Sequence, residues 1–410
     1  MRMTMRGRTR AAATAGLGLA MLVTAANAGG FAVREQSAEF QGTSFAGTAA
    51  GGGGLSSMFW NPAAAAQFDG VWSDSSYSLV IPDSDIHVLP GSTSLGDSGD
   101  IGRLSIVSGS YFSYQVSQDL ILAMGINSPF GLSGKPSNRA WGGAEQARTS
   151  DLKTYNFSPT LAYRVTPTLA VGVGLQIEYL STHLKNASGG PAGPTQYVEG
   201  DDTAFGFTAG VLWNARPGTS VGLGFRSSIG HTIEGTAGIL GITPPVGVNV
   251  DLDTPETVTL SVRQAINPQL AALGTVEWTN WSRLGTLDVV CPSCGSTIKS
   301  LQLDLHDGWF VSGGLEYAYS PKLTLRTGIA WERSPIRDPD ERTPRMPDAD
   351  RIWTSIGTSY KWSPTTTIDF SYSHIFVDDS RINRVENGAT LIADVDSSID
   401  IVSVGVRMKL

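Results

Sequence analysis

The chain has 410 residues, 48 of them glycine and 21 proline, and only 16% of its side chains are charged, against about 25% in ordinary soluble domains. Its 10 Trp, 11 Tyr and 14 Phe exclude a disordered chain, and so much glycine with so little charge excludes a helical bundle. A net charge of −8, with no basic stripe after the first ten residues, excludes nucleic acid as a partner, because phosphate contacts need clustered Lys and Arg.

Arg2, Arg6, Arg8 and Arg10 open the chain, and Ala11 to Ala28 then runs uncharged through Leu17, Leu19, Leu22 and Val23 to Ala26-Asn27-Ala28. A positive start, a short apolar centre and a small-x-small ending describe a secretory signal peptide over 1–28, so the mature chain is expected to start at Gly29. No later stretch reaches the roughly 20 apolar residues of a spanning helix. An exported chain of this kind is either soluble outside the cytoplasm or a transmembrane β-barrel.

Residues 29–69 do not read as a lipid-facing strand, since Gly51 to Gly54 and the mixed run Met58-Phe59-Trp60-Asn61-Pro62-Ala63 are too compact for a crossing. Starting on the periplasmic side, they are expected to fold back into a lumen as a hatch. Gly51 to Gly54 lacks the Lys and Ser or Thr of a phosphate loop. Asn61 reads first as the cap of a turn, bonding nearby backbone.

Residues 70–410 alternate. Leu169, Val171, Val173, Leu175, Ile177 and Tyr179 fall on one face, with Ala170, Gly172, Gly174, Gln176 and Glu178 on the other. The last strand sets Val402, Val404, Val406 and Met408 against Ser403, Gly405, Arg407 and Lys409. Tight connectors punctuate the pattern at 116–119, 165–168, 215–218, 266–269, 319–322 and 362–365, and all but the first carry proline, which presets a turn and cannot donate to a ladder. Six such turns join twelve strands. One strand before the first turn, near 71–81, and one after the last, near 397–410, bring the count to fourteen and return both ends to the periplasm.

Long polar connections at 134–150, 186–202, 288–300 and 334–350 alternate with those turns, the asymmetry of an outer-membrane barrel. The expected fold is therefore all-β, a 14-stranded antiparallel transmembrane β-barrel over 70–410 with an N-terminal lumenal hatch over 29–69. Trp and Tyr near strand ends, among them Tyr163, Trp213, Trp278, Trp281, Tyr319, Trp331 and Trp362, are expected to supply interfacial girdles or lumen packing. In the third strand Pro129 lacks an amide hydrogen and Gly131 lacks a side chain, so Ser128-Pro129-Phe130-Gly131 should bend the strand and interrupt its ladder.

Cys291-Pro292-Ser293-Cys294 lies in a long loop of an exported protein and reads as a local disulfide. The five histidines lack metal spacing, and the acidic pairs Asp378-Asp379 and Asp338-Pro339-Asp340-Glu341 read as solvated loops rather than calcium sites. No nucleophile motif supports an outer-membrane hydrolase, so no catalytic residue, metal or cofactor is expected.

The start Gly30-Phe31, the triplet Asn61-Pro62-Ala63 with Phe68-Asp69, Asn127-Ser128-Pro129-Phe130-Gly131-Leu132, 150–156, 326–330 and 347–353 resemble, in order, the FadL-type long-chain fatty-acid transport proteins. The resemblance implies passive uptake of long-chain fatty acids or similar hydrophobic compounds across a Gram-negative outer membrane by a monomer set among outer-membrane lipids and lipopolysaccharide. Release is sideways at the kink in the third strand. It implies that Phe31, Asn61, Pro62 and Ala63 belong to a gating hatch and that Pro129, Phe130 and Gly131 line the exit. Relatives hold a carboxylate with basic groups near positions that here carry Asn186 and Leu301, leaving Lys185 and Lys299 as the neighbouring candidates. That departure leaves room for uncharged aromatic or aliphatic hydrocarbons, and a general porin is the other rival.

Overall fold

The computed structural model describes residues 29–386 and 388–410, so the signal-peptide reading of 1–28 lies outside the described residues. Fourteen antiparallel crossings form one closed sheet. The first seven are Val71–Val88, Ser105–Gln115, Leu120–Asn127 resumed as Gly131–Gly134, Thr149–Thr166, Leu169–Ala187, Thr195–Arg216, and Thr219–Arg226 with Ile229–Ile239. The other seven are Val246–Thr254 with Thr257–Ala265, Leu270–Thr279 with Thr286–Cys291, Ser296–Gln302 with Gly308–Ala318, Leu323–Arg333, Arg351–Lys361, Thr366–Val377 with Ser380–Glu386, and Ala389–Lys409. The first and last crossings pair from Trp72↔Lys409 to Val88↔Ala393, which closes the cylinder and leaves no sheet edge in lipid. No helix among the described residues is long and apolar enough to cross a membrane.

The alternation follows from what lies on each side of the wall. Val171, Val173, Leu175 and Val404 face outward and are exposed, while Gln176, Glu178 and Ser403 point inward and are buried. Outward aromatic residues mark both interfaces: Tyr163, Trp213, Tyr319, Tyr360 and Trp362 near the tight turns, and Tyr179, Trp309 and Trp331 towards the other end. Two of the four expected long loops are instead strand. The fifth and sixth crossings pair as far as Ala187↔Thr195, and 286–302 is a β-hairpin closed by the Cys291–Cys294 disulfide. These extensions rise beyond the outer aromatic girdle, where water wets the outer face and the apolar-out pattern has no reason to persist.

Residues 29–70 fill the lumen and are almost wholly buried. A short helix, Ala38–Gln41, is capped by Ser37 Oγ, which accepts the Phe40 N–H at 3.3 Å. Inner-face glycines set how close hatch and wall come. A Cβ at Gly172 would fall on the Pro62–Ala63 peptide, one at Gly210 on the Asn61 side chain, one at Gly222 on the Ala49 carbonyl and one at Gly224 on that of Trp60. The small-residue face read as merely non-greasy in the sequence is the seat of the hatch.

Candidate functional site

Above the hatch, on the side of the long loops, lies a cavity with about 990 Å³ of space including its mouth. Its wall is aliphatic, with Leu132, Leu152, Ile233, Leu252, Leu287, Val289 and Leu303 among the lining residues. The hairpin over 286–302 supplies much of one side, because its inward positions alternate with the polar outward face that carries Asp288 and Ser300. Polar groups converge at one region only. Lys299 Nζ donates to Asn186 Oδ1 at 3.0 Å, and Arg345 Nη1 donates to the Thr149 carbonyl at 3.0 Å and to Ser150 Oγ at 3.3 Å.

Among the described residues, neither cation has a carboxylate within 4.0 Å. Burial first, and then the neighbouring Arg345 charge, pushes the Lys299 ammonium down to about 8. Burial likewise lowers the Arg345 guanidinium, to about 10. Both remain charged near neutral pH. Two cations thus face a greasy cavity, with Glu386 as the nearby counter-charge acting on both.

Phe31 forms the aromatic part of the cavity floor, with two further rings packed against it. Phe31 meets Trp281 edge-on with ring centroids 4.7 Å apart and Phe130 at 5.8 Å, and Phe130 lies 6.2 Å from Trp281. Phe31 itself lines the cavity, as does Leu132 just past the kink. The hatch and the kinked strand thus present adjacent side chains to one space.

At the kink the wall changes partners. The second and third crossings pair only between Ser110↔Ile126 and Gln115↔Ile121, and pairing on that side resumes at the bridge Gly102↔Gly134. Gly131–Gly134 keeps its ladder with the fourth crossing, so the strand continues past Pro129. Between these ladders the start of the hatch acts as the partner strand. Val33 donates to the Pro129 carbonyl at 2.8 Å, Gly131 donates to the Phe31 carbonyl at 2.7 Å, and Ala32 bridges Phe130. Gln36 Nε2 adds a bond to the Ser128 carbonyl at 2.8 Å. Backbone groups at membrane depth require partners, and here the hatch supplies them.

Below the aromatic floor the lumen turns ionic. Arg34, the residue after the hatch strand, reaches Glu277 at 2.5 Å and Glu332 at 3.1 Å, and lies over the Phe310 ring at 3.9 Å. Further down Glu39 meets Arg326 at 2.6 Å and Arg407 at 3.0 Å. On the opposite wall His231 sits between Glu178 and Asp202, at 3.4 and 3.0 Å.

The sequence-derived candidates divide accordingly. Phe31, Pro129, Phe130, Gly131 and Lys299 gather around the cavity and the kink. Asn61, Pro62 and Ala63 lie lower. Asn61 Oδ1 accepts the Ala63 N–H at 3.0 Å, and its Nδ2 donates to the Ala49 and Val211 carbonyls at 2.8 and 3.0 Å, so the triplet anchors hatch to wall. Lys185 is not brought to the cavity. Thr182, Leu184 and Asn186 line it, and strand alternation places Lys185 on the other face. Trp281 leaves the list of girdle candidates, being only 2% exposed. Arg345 and Trp281 are the site residues that sequence reasoning missed. An arginine in a polar loop carries no signal of its own, and a tryptophan beside Trp278 reads as interfacial.

The family model described as "Outer membrane protein transport protein (OMPP1/FadL/TodX)" matches residues 19–410. Outer membrane protein P1 of Haemophilus influenzae is 28% identical, over 88% of this chain and 89% of its own. The long-chain fatty acid transport protein of Escherichia coli is 24% identical, over 89% and 92%. Among solved structures, a Pseudomonas aeruginosa FadL homologue superposes with a TM-score of 0.85 at 21% identity, covering 92% of this chain and 99% of that one. The Pseudomonas putida toluene transporter TodX does so with 0.68 at 14%, covering 91% and 98%. A closed fourteen-strand barrel with a filled lumen, matched over nearly its whole length, belongs to the OMPP1/FadL/TodX family of outer-membrane transport proteins.

Proposed function

We propose that this protein takes up long-chain fatty acids, or hydrophobic molecules with a similar anionic end, by passive binding in the upper cavity and sideways release at the kink of the third crossing. The observation that carries the reading is that Phe31 of the hatch and Leu132 of the kinked strand face the same cavity. Cargo seated there touches both the piece that completes the wall and the wall itself. Leaving an apolar site for water costs about 25 cal/mol per Å² of apolar surface, and the lumen below the floor is lined by ion pairs, so descent is the expensive route. The break in the ladder between the second and third crossings offers the shorter path into lipid.

Phe31 acts as the moving leaf, Pro129 and Gly131 keep the strand bent, Phe130 borders the passage, and Asn61-Pro62-Ala63 holds the lower hatch still. Lys299 and Arg345 take the carboxylate. The chain works as a monomer among outer-membrane lipids and lipopolysaccharide, since each crossing already has both neighbours. The relative from Escherichia coli is named for long-chain fatty acids, which agrees with the two cations at the cavity. Uptake of uncharged hydrocarbons is the second reading, favoured by the aliphatic wall. A general porin is disfavoured by the hatch that fills the lumen. Mass spectrometry of lipids carried by the purified protein, followed by uptake assays with oleate and an alkylbenzene, tests the assignment. Fatty acid in the purified protein and faster oleate uptake support it, and preference for the alkylbenzene favours the second reading.

A further inference from the structure

Trp281 stands at a break in the ninth crossing, on the single turn Trp281–Arg283 between Leu270–Thr279 and Thr286–Cys291. Nothing about that turn is loose. Glu256, at the matching break in the eighth crossing, takes Arg283 in a fork, Oε2 accepting from Nε at 2.6 Å and Oε1 from Nη2 at 2.9 Å. Asn280 adds two bonds to the same residue, its Nδ2 donating to Oε1 at 2.6 Å and its backbone N–H to the carbonyl at 3.0 Å. The indole is clasped by two glycines. A Cβ on Gly30 would lie 2.7 Å from Cζ2, and one on Gly308 would lie 2.9 Å from Cδ1. Gly30 also has φ +67, a left-handed value that suits glycine, so the hatch reaches the indole only because that position has no side chain.

We propose that Trp281 is the fixed sill of the lateral gate and sets the width of cargo that can pass from the cavity to the kink. Of the three aromatic rings packed together here, Phe31 belongs to a hatch segment held to the kink by a few backbone bonds, and Phe130 belongs to the kink itself. Trp281 alone is fastened to a break clamped across two crossings. When Phe31 withdraws, the space it leaves is bordered by the indole and Phe130, so the indole's bulk limits the passage. This inference rests on the proposed uptake route and adds to it a residue that selects by cross-section rather than by charge.

The test compares uptake of palmitate, a slender chain, with that of pyrene, a broad rigid plate, by the full-length protein in outer membranes. Trp281→Ala is expected to raise the pyrene-to-palmitate uptake ratio about tenfold, the scale on which apolar apertures discriminate. Trp281→Phe, which keeps an aromatic ring and folds more readily, should give an intermediate ratio. A ratio unchanged in Trp281→Phe, and in Trp281→Ala where heat-modifiable gel mobility shows a folded barrel, overturns the sill. Failure of the unaltered protein to take up palmitate at all removes the uptake route instead, and the sill with it.

Discussion

The two halves of the lumen are built as opposite solvents. Above Trp281 the inward side chains are Leu, Val and Ile with two cations that make no close ion pair among the described residues, and below it Arg34, Glu39, Glu277, Glu332, Arg326 and Arg407 form closed ion pairs. Both halves use the same inward face of the same strands, so the contrast is in chemistry and not in fold. Cations outside close ion pairs suit binding an anion, and charges paired off suit holding two parts together. On the proposed route the upper half receives cargo and the lower half fixes the hatch.

The largest effect should come from opening a closed pair. Arg34→Ala leaves Glu277 buried without its salt-bridge partner and Glu332 with only Arg351, at 3.9 Å, as an ion-pair partner among the described residues, a loss of about 3–5 kcal/mol for a broken buried pair. The hatch should then let go, and planar-bilayer recordings should show steady conductance that the unaltered protein lacks. A silent variant would mean that the lower half does not depend on its charges. Removing an open charge should leave the barrel intact and weaken binding only. Lys299→Met should cost about 1.5–3 kcal/mol, the worth of a hydrogen bond to a charged group, for oleate but not for an alkylbenzene. Equal losses for the two ligands would show that Lys299 acts through packing.

A smaller effect concerns pH. Lys299 has been pushed down to about 8 in the free cavity, and a bound carboxylate favours its charged form and draws that value up. Oleate affinity should therefore be full below about 8 and fall as the pH rises through the raised value, by roughly tenfold per pH unit at most. An uncharged ligand should show no such slope over the same range. The smallest effect is expected at the base of the hairpin. Glu256→Gln weakens the fork to Arg283, about 1 kcal/mol for a half-exposed pair, and should raise local amide exchange at 280–285 without altering ligand affinity.

The barrel was legible because lipid outside and a filled lumen inside impose period two, and because proline marks the tight turns. The kink was legible for a related reason, since Pro129 cannot serve a ladder. What replaces the ladder was not legible. Phe31-Ala32-Val33 is too short to show a period, and its pairing with Phe130 depends on where the chain returns in space. Lys185 and Asn186 are neighbours on one strand, and only strand phase decides which of them reaches the cavity. That phase is lost above the bilayer, where Tyr197, Glu199 and Asp201 no longer need to be greasy. Arg345 was hidden for the same reason, in a loop whose composition says only that it is wet.

Sideways exit is tested most directly by the trail that cargo leaves. A palmitate carrying a diazirine at its chain end, photolysed during uptake into lipid nanodiscs and mapped by peptide mass spectrometry, should label the facing edges of the second and third crossings, around Val107 and Pro129. Labels concentrated instead at the periplasmic mouth, on Gln67, Phe68 and Arg164, would contradict release through the wall.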